Sequence, residues 1–325
     1  MRAVLTRAGI VGILIAGCGS TGEVGTGSGS DIAEGAGGNA GSASPSSSAG
    51  GTVGAPVGAG GTAEVATTSS GGSAGGGRAG STTASGGTTT TGGAAGTVAA
   101  APATAALVPL YTVPSDSSWA ALAAAKTAHI NVPVYAIIDP ANGPGAAADA
   151  GYAAGIGKLQ LAGVTVIGYV PTSYGARSVD AIQADIDRWK SFYPGIQGIF
   201  FDEMSIRLGD ELIYKTVSQY AKSKGMEFTV GNPGVDTKPT FVGTTDTIII
   251  YEGAGFPATT SLSGWHTSYP KSSFALLSYG VAALDHAAIK QARNYVGYIY
   301  VNTDVLPNPW DSLPSYLGAL FADLE

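Results

Sequence analysis

Two stretches of the 325-residue chain bring carboxylates to the ends of apolar runs. Gly198-Ile199-Phe200-Phe201-Asp202-Glu203 stops at two adjacent acids, and Thr247 to Gly253 ends in Tyr251-Glu252-Gly253. Desolvating a carboxylate is costly unless it is paired or hydrogen-bonded, so a buried strand that delivers acids needs a reason. General acid–base chemistry is one, because burial tunes a carboxyl group away from its ordinary pKa. The alternatives are a strand running out into a solvated loop, or an Asp capping the next helix. Several other apolar runs end in the same manner, which favours the chemical reading.

Other chemistries find little support. His129, His266 and His286 fall on predicted helices or their connections, and no Gly-x-Ser-x-Gly elbow accompanies them, which argues against a serine hydrolase. No Asp-rich loop has EF-hand spacing, so no metal is expected, and no cofactor motif appears. Cys18 is the single cysteine, so the folded region has neither a disulfide framework nor a thiolate metal site. A net charge of −7 without a basic stripe argues against nucleic acid. A monomer is expected.

From Leu107 onward, apolar and β-branched runs alternate with Ala-rich or amphipathic stretches, the pattern of repeated βα units. Eight strands are predicted: Leu107 to Tyr111, Val132 to Asp139, Val164 to Val170, Gly198 to Glu203, Glu227 to Gly234, Thr247 to Gly253, Phe274 to Gly280 and Tyr298 to Asp304. Their near-continuous apolar character suits parallel strands covered on both faces. Helices are predicted at Asp116 to Ala128, Asp149 to Leu161, Val179 to Ser191, Gly209 to Lys224, Leu284 to Asn294 and Asp311 to Leu324. The connections after Gly234 and Gly253 look short or irregular. The expected fold is therefore a (β/α)8 TIM-like barrel, distorted around strands 5 and 6, with a doubly wound open sheet as the competing architecture.

In a barrel the carboxyl ends of all strands meet at one rim. Those ends carry Tyr111, Asp139 with Asn142, Tyr169 with Thr172 and Tyr174, Asp202 with Glu203, Asn232, Glu252, Tyr279, and Asn302 with Asp304. Carboxylates, amides and phenols on one concave face suit a sugar, whose hydroxyls need donors and acceptors while its ring stacks on aromatics. Each residue taken singly reads equally well as a loop polar group. Trp265, Tyr174 and Tyr269 are candidate ring platforms, whereas Trp119, Trp189 and Trp310 are assigned to helices and core packing.

The N-terminal third has a different character. Arg2 and Arg7 precede a short apolar run, Ala8 to Ala16, which fits a secretory signal, and Ile15-Ala16-Gly17-Cys18 resembles the bacterial lipobox. This predicts a signal peptide over 1–17, lipidation at Cys18, and a secreted protein held at the bacterial surface or membrane through lipid alone. Residues 18–105 are Gly, Ser, Thr and Ala with almost no large apolar side chains, so they are expected to form a disordered tether with a reach of about 50 Å. The folded domain is assigned to 106–325.

Several segments then share a family pattern: Val108-Pro109-Leu110-Tyr111, Asp139-Pro140 through Gly143-Pro144-Gly145, Gly168-Tyr169-Val170 with Thr172 and Tyr174-Gly175, Gly198 to Glu203, Asn232-Pro233-Gly234, and Tyr251-Glu252. Together, over about residues 107–304, they resemble the spherulin 4 family. The resemblance implies a glycoside hydrolase acting on α-1,4-linked galactosamine or N-acetylgalactosamine polymers, with Asp202, Glu203 and Glu252 as its functional acids. Asp139-Pro140 departs from the Asn-Pro often found in relatives, which touches subsite contacts. On this reading Asp202 is the nucleophile or charge stabiliser and Glu252 the general acid/base of an endo-acting enzyme. A separation of ~5–5.5 Å between them means retention, and ~6.5–9.5 Å means inversion. Adjacent strand residues face opposite ways, so Glu203 shares the mouth with Asp202 only if the strand has ended. Otherwise it orients Asp202, binds a sugar amine or holds the loop. A non-catalytic polysaccharide-binding surface lipoprotein is the alternative, and it predicts binding without release of reducing ends.

Overall fold

The computed structural model describes residues 103–325. The predicted signal segment, Cys18 and the expected tether up to residue 102 lie outside the described residues. Within them, β1 (Ala105–Leu110), β2 (Val134–Ile138), β3 (Thr165–Pro171), β4 (Gly198–Asp202), β5 (Phe228–Gly231), β6 (Thr247–Ala254), β7 (Phe274–Tyr279) and β8 (Tyr298–Val301) follow one another around a closed barrel. All pairings are parallel, and β8 returns to β1 through Ala105↔Tyr298 and Ala106↔Ile299, which excludes the open sheet.

Six α-helices are described: α1 (Ser117–Ala128), α2 (Ala150–Leu161), α3 (Val179–Phe192), α4 (Glu211–Ser223), α5 (His286–Ala292) and α6 (Leu317–Leu324). Asp116, Asp149, Ser178 and Asp285 cap the first three and the fifth with side-chain oxygens that accept first-turn N–H groups. Only 3-10 turns follow β5 and β6, and β5 pairs with β6 at just Val230↔Thr247 and Gly231↔Ile248, so the expected distortion is there. The last helix starts six residues later than predicted from Asp311. Pro314 lies inside that stretch and Pro307 and Pro309 just ahead of it, leaving Trp310 in a loop instead of on a helix. No helix among the described residues is long and apolar enough to cross a membrane.

Which strand positions face the barrel axis follows from three rings. Tyr135 of β2, Phe228 of β5 and Tyr298 of β8 meet pairwise with centroids 4.4, 5.3 and 5.5 Å apart, and strands so distant around the barrel can meet only in its interior. Alternation then turns Asp139, Asn232 and Asn302 inward, each four residues further along. Gly168 reports the outer face of β3. A Cβ there would stand 2.5 Å from the Trp189 ring of α3, so only glycine lets the helix pack, and neighbouring Tyr169 points inward.

Candidate active site

Inward parity delivers Asp202 directly, but Glu252 needs a correction in the sheet. Thr247 pairs with inward Val230, so an unbroken β6 would turn residues 249 and 251 inward and 252 outward. A β-bulge between Ile249 and Tyr251 resets the register, and Glu252 then pairs with Leu277, whose β8 partner is inward Tyr300. The bulge therefore aims the second acid into the mouth.

The Tyr169 hydroxyl donates to Asp202 Oδ2 at 2.6 Å, and Asn232 Nδ2 donates to Asp202 Oδ1 at 2.8 Å. The same nitrogen donates to Glu252 Oε2 at 2.7 Å, so one carboxamide joins the two acids. Asn232 Oδ1 accepts the Gly234 N–H at 3.0 Å, which fixes the amide the right way round. Trp310 Nε1 donates to Glu252 Oε1 at 3.3 Å.

Burial and the neighbouring Asp202 charge push Glu252 up to about 7, against the opposing bonds from Asn232 and Trp310. Burial also raises Asp202, while Tyr169, the Glu203 backbone N–H and Asn232 hold it down. Asp202 has the fuller donor set, so the proton shared by this coupled pair belongs on Glu252. One neutral acid thus faces one carboxylate. Tyr111 packs edge-on to Tyr169 at 5.8 Å, and burial with the nearby acids raises both phenols, which stay protonated as donors.

Glu203 has a different place. The strand ends at Asp202, and Glu203 turns away in a left-handed conformation, φ 53°. Its Oε2 accepts the Ser173 N–H at 3.1 Å and its carbonyl accepts the Tyr174 N–H at 2.7 Å. The Thr172 hydroxyl reaches the carbonyls of both Asp202 and Glu203, at 2.9 and 2.7 Å. Ser173 and Tyr174 are left-handed as well, φ 50° and 52°. Three strained non-glycine residues, at a cost of the order of 1 kcal/mol each, persist only where surrounding contacts impose them. Here they present the Tyr174 ring, 49% exposed, beside the acids.

The remaining rim residues divide. Asp139 Oδ1 accepts the Gly143 N–H at 2.7 Å, shaping the β2 loop, in which Asn142 is exposed with φ 53°, and Asp139 lies close enough to raise Tyr111 and Tyr169. Tyr279 stands edge-on to Trp310 at 5.9 Å. Asn302, expected to bind substrate, is instead fully buried: its amide donates to the Pro309 and Ser312 carbonyls at 2.7 and 3.1 Å. Asp304 likewise serves the loop, accepting the Ser312 hydroxyl. Asn232, expected to touch sugar, spends both amide hydrogens on the acids. Trp265 and Tyr269 are not rim platforms. Both pack on Phe274, the first residue of β7 and therefore at the opposite end of the barrel, because the segment after β6 runs back along the outside. Trp310 is buried in the core as expected, though on a loop and not a helix, and it also touches the second acid. The proline spacing around it is the signal that marks a loop.

With this geometry in place, comparison with known proteins is informative. Spherulin-4 of Physarum polycephalum is 39% identical over 170 residues, 51% of this chain and 50% of that protein. The chain thus spans about half the length of the curated relative it matches. Among solved structures, Aspergillus clavatus Sph3 in complex with GalNAc superposes with a TM-score of 0.61 at 21% identity, covering 69% of this chain and 98% of that one, a likeness of fold. The sequence profile described as spherulation-specific family 4 matches residues 105–323, the whole barrel but its last two residues, and the chain belongs to that family.

Proposed function

We propose that the barrel is a glycoside hydrolase that cleaves α-1,4-linked galactosamine or N-acetylgalactosamine polymers within the chain and with retention. The observation that carries this is the pair of acids joined by Asn232. Two hydrogen bonds of 2.8 and 2.7 Å from one nitrogen keep the nearest carboxylate oxygens of Asp202 and Glu252 no farther apart than the two lengths together. So close an approach of the two groups supports retention, in which no water has to fit between them.

Neutral Glu252 protonates the leaving glycosidic oxygen while the Asp202 carboxylate attacks the anomeric carbon and forms a glycosyl-enzyme. Glu252, now a base, takes a proton from the water that hydrolyses it. Tyr111, Asp139 and Tyr174 flank the acids and supply donors, an acceptor and a ring face. The GalNAc bound by the similarly folded Sph3 supports an amino sugar as substrate. Among the described residues no Lys or Arg pairs with either acid, and an acidic mouth favours a deacetylated, cationic sugar. We also propose that Cys18 is lipidated and holds the barrel at the bacterial surface.

The test is to incubate the full chain with acetylated and deacetylated α-1,4-galactosamine polymers and to assay new reducing ends. Wild type releases them, faster from the deacetylated form. Asp202→Asn and Glu252→Gln each lose about 10²–10⁴-fold in rate while keeping their circular dichroism. Binding without release, or near wild-type rates in either variant, would sink the reading.

A further inference from the structure

Trp310 lies outside every motif that marked the site, yet its one donor is directed at Glu252. An indole has a single N–H and nothing that accepts, and a buried one finds a partner. Here the partner is Glu252 Oε1, while Asn232 holds Oε2, so the two bonds together fix the rotation of the carboxyl group. The indole is itself held from several sides. Tyr279 stands edge-on at 5.9 Å and Tyr300 tilted at 6.0 Å, and the Tyr111 N–H donates to the Trp310 carbonyl at 3.2 Å. Beneath it, the fully buried Asn302 amide donates to the carbonyls of Pro309 and Ser312, which bracket Trp310 in the chain. A buried amide used wholly on loop carbonyls has a loop to hold.

We propose that Trp310 is a positioning residue that orients the Glu252 carboxyl group through its indole N–H, with Asn302 as the brace that sets the loop presenting it. The inference deepens the glycosidase reading of the site and takes from it the role of Glu252 as proton donor. The indole N–H favours the charged form of Glu252, so removing it lets the group keep its proton to higher pH.

The experiment follows tryptophan emission of the full chain between pH 5 and 9. Wild type shows a step near pH 7 as Glu252 ionises beside the indole. The step is absent in Trp310→Phe, which keeps the aromatic packing, and absent in Glu252→Gln, which keeps the indole; Trp119, Trp189 and Trp265 remain in both variants as an internal reference. Asn302→Ala weakens it. In hydrolysis, Trp310→Phe moves the alkaline limb of kcat/KM up by about one pH unit and lowers kcat several-fold with KM unchanged, whereas lost packing alone lowers activity with the limb in place. An equal step in wild type and Trp310→Phe, its persistence in Glu252→Gln, or an unmoved limb overturns the proposal. The emission step needs no substrate: its presence without hydrolysis of any polymer leaves the positioning intact and removes the glycosidase, and hydrolysis without it does the reverse.

Discussion

Asn232 has two amide hydrogens, and both go to carboxylates delivered by different strands. Each acid alone would gain from a donor; sharing one brings like charges together, which works only if one of them keeps its proton. Glu252 does, and this makes folding pH-dependent. Its pKa rises from the ordinary 4.5 to about 7 in the folded chain, so between those values the folded state holds a proton that the unfolded state has lost. Stability from this group is complete below about 4.5 and declines as pH rises through 7. Glu252→Gln removes the decline. Its melting temperature at pH 8 exceeds wild type by the equivalent of about 1–3 kcal/mol, and the gap narrows at pH 4. A gap equal at both pH values would contradict the assignment. The two acids were legible in the sequence because an apolar run ending in a carboxylate is expensive without a purpose. Asn232's task was not: a strand-end amide looks the same whether it faces a sugar or two side chains.

At the scale of elements, the site depends on two local departures from regular structure. The β6 bulge is invisible in Ile248-Ile249-Ile250, because a uniformly apolar run carries no alternation to reveal a change of face. The strands themselves were readable for the same reason, since parallel strands covered on both sides are apolar throughout. The second departure is the left-handed tie between the β3 and β4 loops, where the Ser173 N–H needs the acceptor that Glu203 supplies. Gln keeps an oxygen there and Ala does not. Glu203→Gln therefore retains activity within about tenfold, while Glu203→Ala frees Tyr174 and raises KM by a larger factor, of the order of 1.4 kcal/mol per tenfold. Steady-state kinetics decide it: equal, complete loss in both variants would assign Glu203 to the chemistry itself. The late start of α6 is a further miss with a plain cause, Pro314 inside a stretch whose Asp311, Leu313 and Tyr316 have helical spacing.

For the whole molecule, closure of the sheet turns separate strand ends into a site. Asp202 and Glu252 are fifty residues apart in sequence and become neighbours because β4, β5 and β6 are adjacent in the barrel. That much was readable from eight apolar runs alternating with helices. The N-terminal region is a matter of sequence alone, and its proposed anchor has a direct check: Cys18→Ser shifts the protein from the membrane fraction to the soluble one, and an unchanged distribution contradicts lipidation. The central claim, two acids one sugar-width apart working as nucleophile and proton donor, is tested most directly by proton NMR of reducing ends at the moment of release from the α-1,4-galactosamine polymer. The α-anomer appearing first, then mutarotating, is the predicted result. First appearance of the β-anomer would contradict it.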